Sequence, residues 1–176
     1  DAALKFMNVW VFINEQLAEL WVEPGETLEW ERLVERREES WRAGTVPAGG
    51  LFLACGVDVQ RADGGRIEAE VVAFGENRET WSVDYRILHG DPARPEVWAR
   101  LEKLLHETFP HELGGELSIE RMFVDSGDGT TTREVYEWVQ KQPRPRVWAI
   151  KGDTRGRDQP VGPPRSVESK KGKYGA

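Results

Sequence analysis

The sequence of 176 residues is poor in cysteine and histidine, with one Cys and three His. A single thiol cannot form a disulfide framework, and this count does not supply an ordinary zinc finger. The apolar run 51–54 precedes Cys55 and predicts a buried, unreactive thiol. No apolar stretch approaches the ~20 residues that a membrane-spanning helix requires, so we expect no membrane association.

Targeting and nucleotide-binding signals are also missing. The chain begins with Asp1, and no secretory leader follows it. We therefore expect a soluble fragment of a longer protein from a reducing compartment. The pattern Gly-x-x-x-x-Gly-Lys-Ser/Thr does not occur, which argues against a nucleoside-triphosphatase site in this stretch of chain.

Charge is distributed unevenly along the chain. The net charge is −7, which argues against a general basic coat for nucleic acid but leaves room for a local basic patch. Residues 151–176 are rich in Lys, Arg, Gly and Pro, and they predict either a flexible segment that contacts DNA phosphates or a solvated linker. The candidate DNA-binding residues are Lys151, Arg155, Arg157, Lys170, Lys171 and Lys173.

Hydrophobic periodicity divides the chain into three parts: residues 1–46, 47–152 and 153–176. The first part predicts helices near 6–20 and 28–42, which would form a connector that packs through its tryptophans. The third part is the basic flexible loop, or a C-terminal segment that is cut short. The apolar positions of the first helix are Phe6, Trp10, Ile13 and Leu17, and those of the second include Trp30 and Trp41.

The middle part predicts the order strand, strand, strand, helix, strand, helix, strand. Three strands joined by short turns form an antiparallel meander, and each later helix returns the chain to a parallel strand. The compact solution is an α/β fold with a mixed five-stranded sheet and flanking helices. Ribonuclease H-like domains have this order and this sheet.

Two aspartates follow from this topology as site candidates. Asp58 lies in the first strand, Asp125 ends the fourth, and these strands are expected to be neighbours. Carboxylates at such close range repel each other unless a cation lies between them, and Mg²⁺ or Mn²⁺ prefers oxygen ligands. Asp128 is a further candidate ligand. Alternatively, all three aspartates serve turns or helix caps, and Thr131 with Glu134 predicts a capping box.

Four motifs, in their order and spacing, resemble the large terminase subunit of tailed phages, of the lambda GpA type. The segment 12–19 also resembles the stretch that joins the ATPase motor of that family to its nuclease, so the likeness covers roughly residues 6–152. The motifs are Gly56-Val57-Asp58-Val59-Gln60, Trp81-Ser82-Val83-Asp84-Tyr85, Gly90-Asp91-Pro92 with Val97-Trp98, and Phe123-Val124-Asp125-Ser126-Gly127.

The resemblance implies a metal-dependent endonuclease that cuts concatemeric viral DNA with two Mg²⁺ or Mn²⁺ ions. It assigns Asp58 and Asp125 as the first and second catalytic aspartates. The third belongs on a helix beyond the fifth strand and has no match here, because Asp153 and Asp158 follow that strand too soon. The implied partners are double-stranded DNA, the ATPase domain of the same chain, the small terminase subunit and the portal, in the host cytoplasm.

Two other functions remain open from the sequence. One is another ribonuclease H-like nuclease of the resolvase or integrase type, which would have no need of the N-terminal connector. The other is a non-catalytic domain that keeps the fold and docks to a partner of the packaging motor. Ion pairs from Lys or Arg to both Asp58 and Asp125 would favour docking, whereas unpaired carboxylates within reach of one ion would favour the nuclease.

Overall fold

The computed structural model describes residues 30–152, 161–165, 167–169 and 172–174. The chain divides into two compact units, residues 1–40 and 41–176. None of the described helices is long and apolar enough to cross a membrane. The predicted helix at 6–20 lies outside the described residues.

Helix α1, Trp30–Glu35, is much shorter than the helix predicted over 28–42. Leu33 and Val34 are apolar residues of this helix, yet both are at least half exposed. A short helix depends for its stability on the packing of an apolar face. The apolar side chains here are too exposed to stabilise a longer helix. The remaining charged residues, 36–39, have neither helical nor strand structure up to Ser40.

The second unit contains the sheet. Its strands and helices follow the predicted order, with one additional short strand. They are β1 Phe52–Gln60, β2 Arg66–Phe74, β3 Thr80–His89, α2 Pro95–Leu105, β4 Thr108–Pro110, β5 Glu116–Asp125, α3 Thr132–Val139 and β6 Val147–Ile150. A separate hairpin of β7, Val167–Ser169, and β8, Gly172–Tyr174, lies in the segment predicted as a flexible loop.

The sheet has the strand order β3-β2-β1-β5-β6, and β4 pairs with the first residues of β5. Strands β1, β2 and β3 are antiparallel, whereas β5 runs parallel to both β1 and β6. The ribonuclease H-like mixed sheet is therefore confirmed. The unpredicted β4 is three residues long and contains Pro110, which is typical of an edge strand.

The β1–β2 turn sets the register of this hairpin, in which Gln60 pairs with Arg66. Gly64 and Gly65 both have positive φ, at 87° and 81°. Glycine adopts this conformation without steric cost. A Cβ at Gly65 would also lie 2.8–2.9 Å from atoms of Gly90, Asp91 and Pro92, so this position has no space for a side chain.

Helices α2 and α3 pack on one face of the sheet. Alternate residues of β1 are buried with them in a single core, and the rings of Trp98 and Trp138 stack at 5.4 Å between the two helices. Such alternation is expected of a strand with one covered face. The β1 residues in this core are Leu53, Cys55, Val57 and Val59.

The opposite face, which we call the open face, carries the intervening residues of the same strands. Phe52 and Phe74 stack there at 5.2 Å, while Tyr85 and Ile87 remain 53% and 47% exposed. In the described part of the chain this face is therefore only partly covered.

Asp84 on β3 belongs to an ion-pair network. Arg86 bridges the carboxylates of Asp84 and Glu107, each at 2.7 Å. The hydrogen bond from Arg86 also lowers the pKa of Glu107. This network links β3 to the residues just after α2.

The environment of Cys55 yields the first prediction. Its side chain is fully buried, and burial raises its pKa to about 12. At pH 8 only about one thiol in ten thousand would then be the reactive thiolate. We expect negligible labelling by a thiol reagent such as DTNB in the folded protein and one equivalent after denaturation in urea. Rapid stoichiometric labelling of the folded protein would contradict the described core.

Candidate functional site

The parallel pairing of β1 with β5 brings the two predicted aspartates side by side. Val57 pairs with Val124, and Asp58 and Asp125 are the next residues of each strand. Neighbouring strands lie about 4.8 Å apart. Both aspartates are partly exposed and alternate with buried valines, so both project from the open face.

Each aspartate is oriented by one neutral donor. The amide of Gln60 donates to Oδ2 of Asp58 at 2.7 Å, and the backbone N–H of Gly127 donates to Oδ1 of Asp125 at 2.9 Å. Neither carboxylate forms an ion pair with Lys or Arg in the described regions of the chain. Within the described residues, both carboxylates are therefore oriented by a hydrogen bond but not paired with a cationic side chain.

A third carboxylate, that of Glu68, was missed from the sequence. Glu68 on β2 pairs with Asp58, so the row Asp125, Asp58, Glu68 crosses three neighbouring strands of the open face. The hydroxyl of Tyr85 and then the guanidinium of Arg66 lower the pKa of Glu68. The available signal was the hairpin register, which places Glu68 opposite Asp58 once Gln60 pairs with Arg66.

Asp128 is engaged in the loop that follows β5. Its carboxylate accepts hydrogen bonds from the N–H of Thr130 at 2.9 Å and from the Thr130 hydroxyl at 2.8 Å. These bonds lower the pKa of Asp128. This is the turn role that the sequence offered as the alternative to metal binding.

The predicted capping box is wrong. The Thr131 side chain makes no cap hydrogen bond at the start of α3. Glu134, its expected partner, instead accepts a hydrogen bond from Arg61 at 3.0 Å. The stronger attraction of a guanidinium for a carboxylate explains this choice.

The basic candidates are only partly described. Lys151 is exposed and directly follows Ile150, the residue that pairs with Asp125. Lys173 lies in β8, where the structure describes its backbone but not its side chain. Arg155, Arg157, Lys170 and Lys171 lie outside the described residues, as do Asp153 and Asp158.

The chemistry of the donors at the open face fits a divalent ion. Within the described residues there is no group of three His, Cys, Asp or Glu side chains arranged to hold a metal. Two aspartates can nevertheless bind Mg²⁺, because this ion keeps several waters and often takes only one or two protein carboxylates. A Cβ at Gly56 would meet no atom within 4 Å, so the surface beside Asp58 is open.

Comparison with known proteins decides the family. The family model for the terminase large subunit gpA, endonuclease domain, matches residues 7–175. The chain belongs to this family. It is 32% identical over 142 residues to the terminase large subunits of Escherichia phage lambda and Enterobacteria phage P21, which covers 80% of this chain and 21% of each relative. No solved structure matches the chain.

Membership of the gpA endonuclease family confirms the resemblance inferred from the four motifs. The chain spans about a fifth of the length of the phage relatives that it matches. The match extends through the basic residues at the C-terminal end, as well as over the sheet.

The turn role of Asp128 is testable by pH. Because its pKa is lower in the folded protein, its ionised carboxylate stabilises the fold above the unfolded pKa of about 3.9, and this contribution disappears as the pH falls through the folded pKa. Asp128→Ala should lower the melting temperature at pH 7, by an amount that shrinks below about pH 4. Asp128→Asn keeps an acceptor oxygen and should melt between the two. A difference that is independent of pH would exclude this role.

Proposed function

We propose that the domain is a metal-dependent DNA endonuclease whose catalytic residues are Asp58 and Asp125. The family supports a packaging nuclease, and the two aspartates are the pair that its motifs assign. The observation that carries the proposal is their placement on adjacent parallel strands, at the same level and on the same face, with no cationic partner in the described structure.

Among the described residues, the lack of a cationic partner for either aspartate supports the nuclease over a docking module. Carboxylates that served protein contacts would gain from an Arg or Lys at this range. Here Gln60 and the Gly127 amide orient the oxygens but leave the negative charge in place. Such a site attracts a divalent cation.

In this proposal Asp58 and Asp125 hold Mg²⁺ or Mn²⁺, with two ions expected. When bound, such ions activate water and stabilise the leaving oxygen in phosphodiester hydrolysis. Gln60 and Gly127 each donate to one oxygen of an aspartate, and the other oxygen of each would serve as the ligand of a metal ion. The open surface at Gly56 admits the backbone of the DNA without a side chain in its way.

The substrate and partners of the whole protein are part of the same proposal. The substrate is double-stranded concatemeric viral DNA, cut in the host cytoplasm during packaging. The ATPase domain of the longer chain, the small terminase subunit and the portal are the expected partners. Lys151, Arg155, Arg157, Lys170, Lys171 and Lys173 would contact phosphates near the ions.

The catalytic assignment predicts that Asp58→Asn or Asp125→Asn abolishes nicking of supercoiled plasmid in Mn²⁺ or Mg²⁺. The loss should exceed about 100-fold, the upper range for residues that only support a metal ligand. An amide has nearly the same shape but supplies only a dipole, so the fold should survive. The melting temperature without metal should stay the same or rise, because two repelling charges are reduced to one.

The matched control is Glu70→Gln, which removes an exposed carboxylate from the same face, opposite Gly56. This variant should cut at the rate of the wild type. If Asp58→Asn or Asp125→Asn also cut normally, that residue would not belong to the site. A folded wild type that neither binds Mn²⁺ nor cuts would favour the docking domain instead.

Lys151 provides a separate test of DNA contact. If it pairs with one phosphate, Lys151→Ala should weaken binding to DNA of any sequence and reduce the slope of log K against log salt by about one. Equilibrium binding to a fluorescent duplex at several salt concentrations measures this slope. An exposed lysine far from the sheet end, Lys103 on α2, is the control, and Lys103→Ala should leave the slope unchanged. An unchanged slope for Lys151→Ala would remove this contact.

A further inference from the structure

Arg61 links the two strand ends that carry the aspartates. It lies directly after β1, three residues beyond Asp58, and its side chain is 38% exposed. One terminal nitrogen donates to the carbonyl of Thr130 at 2.8 Å, and the other donates to Glu134 at 3.0 Å. Its Nε also lies 3.7 Å from the carboxylate of Asp91. Each of these partners is far from Arg61 in the sequence.

The Thr130 carbonyl belongs to the loop 126–131, which begins immediately after Asp125. On the β6 side this loop is fixed by Ser126, whose N–H and hydroxyl both donate to the carbonyl of Ile150 at 2.8 Å. On the β1 side it is fixed by Arg61. The loop is therefore held from both neighbours of β5.

Arg61 is connected to Asp125 by a series of hydrogen bonds within this loop. Asp128 binds the backbone and side chain of Thr130, and Gly127, one residue earlier, donates its N–H to Asp125. Displacing Thr130 would move the donor that orients Asp125. The charge of Arg61 faces Glu134 and Asp91, so the cation is already paired and does not compete for the aspartates.

We propose that Arg61 is a positioning residue of the metal site. By holding the loop 126–131 against the end of β1, it keeps the oxygens of Asp58 and Asp125 aligned toward one ion. This inference rests on the proposed function. Arginine suits the role because its planar fork binds the carbonyl and the carboxylate together, whereas lysine offers a single point charge.

The test compares Arg61→Met and Arg61→Lys with the wild-type 176-residue chain. Binding is measured from the electron paramagnetic resonance signal of free Mn²⁺, and activity from plasmid nicking over the same Mn²⁺ titration. Loss of a residue that supports metal ligands costs about 10–100-fold in metal affinity. We expect Arg61→Met to raise the half-saturating Mn²⁺ concentration by about 10-fold, with most of the nicking rate recovered at saturating metal. Arg61→Lys should lie between it and the wild type.

The control is Arg133→Met, which removes an ion pair to Glu137 within the same helix α3. It should leave the Mn²⁺ midpoint unchanged. If Arg61 had only a structural role, its variants would have a lower melting temperature but would bind Mn²⁺ with wild-type affinity. That result would overturn this inference and leave the proposed function standing. A wild type that neither binds Mn²⁺ nor cuts would overturn both the inference and the proposed function. If Arg61→Met does not fold, Arg61→Lys decides by the same midpoint.

Discussion

The parallel pairing of β1 with β5 is the constraint on which the candidate site depends. It brings together two residues that are 67 positions apart in the sequence and sets them at the same level of one sheet face. A shift of one residue in this register would send one aspartate into the core, since side chains alternate between faces. The buried partners Val57 and Val124 oppose such a shift, because it would expose apolar surface.

The candidate site also depends on the packing of both helices on one face of the sheet, because this leaves the opposite face accessible. The covered face provides the hydrophobic core, whereas the open face carries both the Phe52–Phe74 stack and the acidic row of Asp125, Asp58 and Glu68. Arg61 and Ser126 then hold the loop beyond β5 between the ends of β1 and β6. The acidic row thus lies on the face of the sheet opposite the hydrophobic core, and its supporting loop lies at the ends of the strands.

The sequence was sufficient to predict the strand order and the adjacency of Asp58 and Asp125. Apolar alternation and the handedness of crossover connections leave few alternatives for such a chain. It did not reveal Glu68 or Arg61, because their positions depend on the hairpin register and on side-chain partners 17 to 73 residues away. The capping box failed for the same reason: a distant guanidinium outcompeted a local hydrogen bond. The length of helix α1 was overestimated, because hydrophobic periodicity identifies an apolar face but does not show whether another part of the chain covers it.

The long sequence separation between β1 and β5 also bears on when the site can exist. Contacts between distant segments carry the largest loop-closure entropy and slow folding, whereas the β1–β2–β3 meander closes through short turns. Asp58 therefore belongs to the part of the sheet that needs only short-range closure. The two aspartates meet only after α2 and β5 have been made and docked. Until that pairing of β1 with β5 forms, the two aspartates are not adjacent, so the proposed site is among the last features of the sheet to be completed.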